Sequence, residues 1–193
     1  MRIPHYILAG GRSRRFGSDK ARARVGGACL IEAVATRLFP EASGLAVVAD
    51  LAGRYADLGL TTIADAAPHR GPLGGLATAL QDRQHRHGPG WLMVSACDLV
   101  DASPRWSRPL IKTLGQINAQ LAVVYIDPAA RWQPLPGLYH TDLLPTVQRH
   151  LADDQRSLCR LLDGVSTLAC PLPSGCLSVP NANTPSALAG SPA

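Results

Sequence analysis

An α/β fold with parallel strands and crossover helices is predicted by three observations. Short apolar, partly β-branched runs alternate with amphipathic stretches along the whole chain. The 193 residues, 46% of them hydrophobic and 17% charged, fit one domain with a core large enough to need neither disulfides nor a structural metal. Glycine-rich or acidic stretches close several of the apolar runs, at the carboxyl ends of strands, where open α/β sheets hold their ligands.

Taken in order, residues 5–9 read as the first strand, and Leu30 to Leu38 as a helix because Leu30, Val34 and Leu38 recur at i+4. Leu45 to Ala49 is a second strand, followed by a helix over 51–58. Thr61 to Ala64 is a third strand and ends at Asp65. A glycine-rich turn, Arg70-Gly71-Pro72-Leu73-Gly74-Gly75-Leu76, opens a helical stretch that runs to about Arg83, and His85 to Gly90 reads as a loop by composition. Trp91 to Ala96 is a strand that delivers Cys97-Asp98 to its carboxyl end. A helix around Pro104 to Leu114 and a strand from Leu121 to Ile126 continue the pattern. Arg131 to Tyr139, broken by prolines, is expected at a sheet edge or a pocket wall rather than in a central strand. Thr141 to Leu151 and Ser157 to Leu162 are helical, the second capped by Ser157. Ser166 to Cys170 is the last strand. One domain is expected over 1–185. Its end is a polar turn, Asn181 to Pro185, and residues 186–193 form a disordered tail.

Leu8-Ala9-Gly10-Gly11-Arg12-Ser13-Arg14-Arg15-Phe16-Gly17-Ser18-Asp19-Lys20 reads as a glycine-rich loop leaving a buried strand. Gly10-Gly11 lets the backbone turn with positive φ and approach a ligand closely. Successive N–H groups in such a turn form an anion site. Arg12, Arg14, Arg15 and Lys20 surround it with charge suited to several linked phosphates. Neither G-x-x-x-x-G-K-S/T nor G-x-G-x-x-G is present, so neither a P-loop nor a dinucleotide fingerprint is indicated. In the second turn, Gly74 and Gly75 at a helix start would allow a ligand's close approach, and the helix N-terminus favours an anion. A tight turn without ligand explains that turn equally well. Asp98 is the carboxylate suited to magnesium, which is held by one or two carboxylates and substrate phosphates; a helix-capping aspartate is its plainer reading.

The formal net charge of +5 implies an anionic partner, but the arginines crowd the first loop and none follows Arg160. That asymmetry favours a local phosphate site over a nucleic-acid surface. Arg83 and Arg86 read as compositional habit. Cys29, Cys97, Cys159, Cys170 and Cys176 form no C-x-x-C pair and are expected to be reduced thiols. No signal peptide or membrane span is evident. A soluble, cytoplasmic protein with no nucleic-acid or membrane partner is expected.

Together these pieces are more specific. The order L-A-G-G-x-S-x-R-F-G-x-D-K, an Asp before G-P-L-G-G-L, an apolar strand ending Cys-Asp, then Gln-Pro-Leu and Asn-x-Asn-Thr-Pro, resembles the molybdenum cofactor guanylyltransferases of the MobA type. The first motif alone marks the wider nucleotidyltransferase superfamily. The resemblance implies a single Rossmann-like three-layer domain, its mostly parallel mixed sheet flanked by helices, as in nucleotide-diphospho-sugar transferases. It implies transfer of GMP from GTP to molybdopterin, with Mg2+ and release of pyrophosphate, and allows other molybdenum cofactor biosynthesis or delivery proteins as partners. Leu8, Ala9 and Gly10 would line guanine and ribose, and Gly11 onward would wrap the phosphates. Asp65, Gly71, Pro72, Leu73 and Gly74 would contact the nucleotide. Arg15 and Lys20 would offset phosphate charge, Asp98 would hold magnesium, and Asn181 and Asn183 would read the acceptor. Arg70, Arg131 or Arg156 could supply a cation to the acceptor. Val100, Ala49 and Ser186-Ala187 depart from residues common in the family at those places.

A cytidylyltransferase or sugar-phosphate nucleotidyltransferase shares this scaffold and remains an alternative. A non-catalytic nucleotide-binding partner in cofactor delivery would not need both Lys20 and Asp98. An RNA-binding domain would interleave aromatics with the arginines, where only Phe16 occurs.

Overall fold

The computed structural model describes residues 2–10, 19–25 and 27–182. Strand β1 is His5–Leu8, and two short strands, β2 (Arg24–Val25) and β3 (Ala28–Cys29), form a separate hairpin. Helix α1 (Leu30–Ala33) continues through a wider-pitched turn at Val34–Leu38, so the stretch expected as helix is helical throughout. Strands β4 (Leu45–Ala49) and β5 (Thr62–Ala64) precede the long helix α2 (Gly71–His87), and β6 is Trp91–Ala96. Beyond it come α3 (Arg108–Lys112), β7 (Ala122–Ile126), β8 (Trp132–His140), α4 (Leu144–Ala152), α5 (Leu158–Asp163) and β9 (Thr167–Pro171).

Seven strands form one sheet in the order β5-β4-β1-β6-β8-β7-β9. β5, β4, β1 and β6 run parallel, β8 is antiparallel to both of its neighbours, and β9 is parallel to β7. The mostly parallel mixed sheet is therefore as expected. β1 is buried along its whole length, as a strand covered on both faces must be. Alternate residues feed two cores. Ile7, Val47 and Met93 join Val34, Leu38, Trp106 and Tyr125 on one face. Tyr6, Leu8, Val48 and Val94 join Leu73, Leu76 and Leu80 of α2 on the other. Each such fully buried aliphatic side chain contributes about 1.5–3 kcal/mol.

Four expectations need correction. Over 51–58 there is no continuous helix: Gly53 adopts φ 72°, and only Ala56–Leu58 makes a 3-10 turn. The helix around 104–114 is shorter, α3 passing into a 3-10 turn at Thr113–Gln116. The α2 helix runs past Arg83 to His87, because Arg86 pairs with Asp82 one turn earlier and three basic residues face the negative end of its dipole. The largest correction is β8. Its Gly137–His140 half lies between β6 and β7, at the sheet's interior. The pairing with β7 jumps from Val124–Gly137 to Tyr125–Gln133, so Pro134, Leu135 and Pro136 bulge out of the ladder, where prolines forfeit no ladder bond. Gly137 is confined from all sides, since an added Cβ would stand 2.6 Å from the Pro134 carbonyl and 2.9 Å from Val124 Cγ1.

Ser157 does cap α5, accepting from the Arg160 amide. Among the described residues, no helix is long and apolar enough to cross a membrane.

Candidate active site

The carboxyl ends of β1, β4, β5 and β6 lie along one edge of the sheet, outside which open α/β sheets hold their ligands in a crevice. Ladder bonds continue just past the strands, from Ala9 N to Val48 O at 2.8 Å, Asp65 N to Ala49 O at 2.6 Å and Cys97 N to Leu8 O at 3.2 Å. An added Cβ on Gly10 would lie 3.9 Å from Asp65 Oδ2, so the start of the loop and Asp65 are neighbours. The other carboxylate oxygen is occupied: Oδ1 accepts from the Ala67 amide at 2.9 Å and the Thr78 hydroxyl at 3.0 Å. Thr78 Oγ in turn accepts from the Ala66 amide at 2.9 Å, which pins the loop after β5 to the second turn of α2.

The glycines at the start of α2 are closely packed. A Cβ on Gly74 would meet the Ala67 carbonyl at 2.5 Å, and one on Gly75 would meet Leu8 Cδ2 at 3.0 Å. Both glycines let the helix lie directly against the β5 loop and β1. Leu73 is fully buried in the core between α2 and the sheet. Gly71, at φ 66°, and Pro72 are exposed at the helix entry. Arg70 and Arg156 converge there on Asp154, whereas Arg131 pairs with Asp127 in the β7–β8 turn.

Lys20 and Asp98 meet across the mouth of the crevice. Lys20 Nζ donates to Asp98 Oδ2 at 2.6 Å, and the two side chains are only 15% and 19% exposed. Burial and the Asp98 charge push the thiol of their neighbour Cys97 up to about 12, which keeps it protonated at neutral pH. The chain's C-terminal segment closes this side: Ala182 N donates to Asp98 O and Val100 N to Pro180 O, each at 2.9 Å, with Asn181 bridged to Leu99. Asn181 is thereby set beside Asp98, and its buried Oδ1 has no hydrogen-bond partner among the described residues. Gly11, Arg15 and Asn183 lie outside the described residues.

Sequence reasoning missed the anchor of the loop's far end. Asp19 accepts from Arg54 Nη2 at 3.0 Å and from the Tyr55 hydroxyl at 3.1 Å. Arg54 also pairs with Asp50. The i,i+4 spacing of Asp50 and Arg54 was the one local signal, and it said nothing of the partner 35 positions away.

A family model described as the MobA-like NTP transferase domain matches residues 5–168. The chain belongs to the MobA-like NTP transferase family. The MobA-like match takes in every strand but the last residues of β9, and with them Gly10, Lys20, Asp65 and Asp98, but not Asn181. A molybdenum cofactor guanylyltransferase of Nitrobacter hamburgensis is 36% identical over 163 residues, 80% of this chain and 75% of that protein. One from Serratia proteamaculans is 32% identical over 164 residues, 83% of this chain and 79% of its own length. The fold matches the crystal structure of molybdopterin-guanine dinucleotide biosynthesis protein A from Archaeoglobus fulgidus, with a TM-score of 0.78 and 22% identity over 97% of this chain and 95% of that one. The Rossmann-like fold expected of a nucleotidyltransferase is therefore the one present.

Proposed function

We propose that this MobA-like nucleotidyltransferase moves GMP from GTP to the molybdenum-bound molybdopterin cofactor and releases pyrophosphate. The observation that carries the reading is the Lys20–Asp98 pair, a cation and a carboxylate 2.6 Å apart at the mouth of the crevice that Gly10 and Asp65 line. The relatives named molybdenum cofactor guanylyltransferase support the choice of substrates.

The acceptor's terminal phosphate is already an anionic nucleophile, so its oxygen attacks the α-phosphorus without a general base while the bond to the β-phosphate oxygen breaks and pyrophosphate leaves. Repulsion between the two anions and the charge gathering on pyrophosphate oppose the reaction. Lys20 addresses both as a fixed cation near the phosphates, with Arg15 of the same loop assigned to the same task. The Oδ2 of Asp65 faces Gly10 and is suited to hydrogen-bond donors of the base or ribose, with Leu8 and Ala9 lining that wall. The entry turn of α2 offers the backbone N–H groups of Gly71, Leu73 and Gly74 to the nucleotide, with Pro72, which has no N–H, fixing the backbone at the helix start. Asn181, with an unsatisfied buried amide oxygen, and Asn183 are assigned to the acceptor.

Asp98 suits Mg2+. Among the described residues no group of three or more His, Cys, Asp or Glu converges to hold a metal, so an ion here needs oxygens from the substrate. A hard cation that keeps waters and shares phosphate oxygens requires only one or two carboxylates. When bound, it would neutralise phosphate charge; Asp98 would then divide its oxygens between the ion and Lys20.

Pyrophosphate release measured with GTP and with CTP, each with and without molybdopterin, tests the reading. Release that requires GTP and molybdopterin together is expected. Release with CTP in preference would move the chain to a cytidylyltransferase, and clear GTP binding with no release from any triphosphate would make it a binding partner.

A further inference from the structure

Asp19 and Lys20 are consecutive, yet strands on opposite sides of β1 hold their side chains. In the sheet, β4 borders β1 on one side and β6 on the other. Asp19 reaches toward the connection after β4, where its Oδ2 accepts from Arg54 Nε at 3.2 Å, Arg54 Nη2 at 3.0 Å and the Tyr55 hydroxyl at 3.1 Å. Lys20 reaches the end of β6 and donates to Asp98 at 2.6 Å. The peptide between them is held as well. Asp19 Oδ1 accepts from Ala21 N at 3.1 Å, capping a 3-10 turn over Lys20–Arg22. Arg22, at the end of that turn, forks onto Asp57 at 2.7 and 2.9 Å and reaches the Arg54 carbonyl at 3.0 Å.

The base of this arrangement is buried. The Tyr55 side chain is fully buried, and the guanidinium groups of Arg22 and Arg54 lie 5.3 and 5.8 Å from its ring centroid. Burial and the Asp19 charge raise the Tyr55 hydroxyl above its ordinary range, so it stays a donor. Three donors on one carboxylate oxygen exceed what a turn of three residues needs for capping.

We propose that the clamp of Arg54 and Tyr55 on Asp19 is a positioning device for nucleotidyl transfer, fixing where the Lys20 ammonium stands relative to Asp98 and the phosphates. The proposal rests on the reading that Lys20 and Asp98 serve the transfer. A lysine is a point charge on a flexible stem, and what it contributes to a transition state depends on where its backbone is held. A displacement of about 1 Å can cost on the order of 100-fold in rate. Binding of GTP, spread over many contacts, is far less sensitive to one charge's placement. Asp19, Arg54 and Tyr55 thus act through Lys20 and are positioning residues.

Tyr55→Phe keeps the buried ring and removes one donor, and Asp19→Asn keeps the shape and removes the charge. Steady-state pyrophosphate release, thermal melting and hydrogen exchange at the Ala21, Arg22 and Ala23 amides are measured on the full chain. Expected for each variant are a kcat lower by about 10-fold or more, a KM for GTP within about two-fold of the parent, and faster exchange at those three amides. Because both act through one contact, the double variant should be little worse than Asp19→Asn alone. Unchanged kcat overturns the proposal, and so does a loss confined to KM or to melting temperature, or additive losses in the double variant. If the parent chain itself releases no pyrophosphate, the functional reading has failed, and exchange alone decides the clamp: protection undiminished in Tyr55→Phe overturns it.

Discussion

Lys20 and Asp98 show how much of this site rests on single charges. They are 78 positions apart in the chain and 2.6 Å apart in space. If Lys20 stabilises charge on the departing phosphates, Lys20→Ala should lower kcat by about 100- to 1,000-fold, the scale for losing one preorganised donor. The check is pyrophosphate release at saturating GTP, and near-parental turnover would remove Lys20 from the mechanism. Asp65 and Asp98 were readable as candidates because each follows an apolar run that had to be a strand. Asp19 was not, since an aspartate before a lysine in a polar loop looks solvated until Arg54 and Tyr55 are brought to it.

The α2 helix is held more by glycines and one arginine than by its caps. Gly74 sits where the Ala67 backbone carbonyl leaves no space, so Gly74→Ala must shift either the helix or the β5 loop. Overpacking of this kind costs about 1–3 kcal/mol, or several degrees in melting temperature for a chain of this size. Gly75→Ala presses only on the end of the Leu8 side chain and should cost less. Melting curves of the two variants compare them directly; equal stability of Gly74→Ala and the parent would show that the loop yields freely. At the other end, Arg83 is no compositional habit. It is buried and donates to the carbonyls of Gly88 and Trp91, closing the turn into β6. Arg86 likewise pairs with Asp82, which also accepts from the Tyr6 hydroxyl at 2.8 Å.

The two cores are apolar apart from a few groups, and His5 is a described residue whose burial links folding to pH. It lies fully buried in β1, hydrogen-bonded to Ser95 Oγ at 2.7 Å, and burial pushes its pKa down to about 3. Between its ordinary value of 6.5 and about 3, the unfolded chain binds a proton at this residue that the folded chain refuses. Stability therefore rises with pH through that window and falls on acidification, by up to about 1.4 kcal/mol per pH unit from this group. His5→Gln keeps an amide near Ser95 and removes the titration. Urea unfolding at pH 7.5 and 5.0 should show a shallower pH dependence in the variant than in the parent, and identical dependence would assign the acid sensitivity elsewhere.

Fold class, most of the element order and the two strand-end aspartates were legible in the chain because each is written in contiguous residues: an apolar run, or a residue directly after a strand. Local periodicity and turn chemistry act over a few positions, and so does their signature. The insertion of β8 between β6 and β7, the glycines of α2 and the clamp on Asp19 were not legible. Each depends on which strands become neighbours, and that is decided by how the whole sheet closes its two cores. Placing β4 on one side of β1 and β6 on the other is what turns Asp19-Lys20 from two polar loop residues into an anchor and a charge aimed at Asp98.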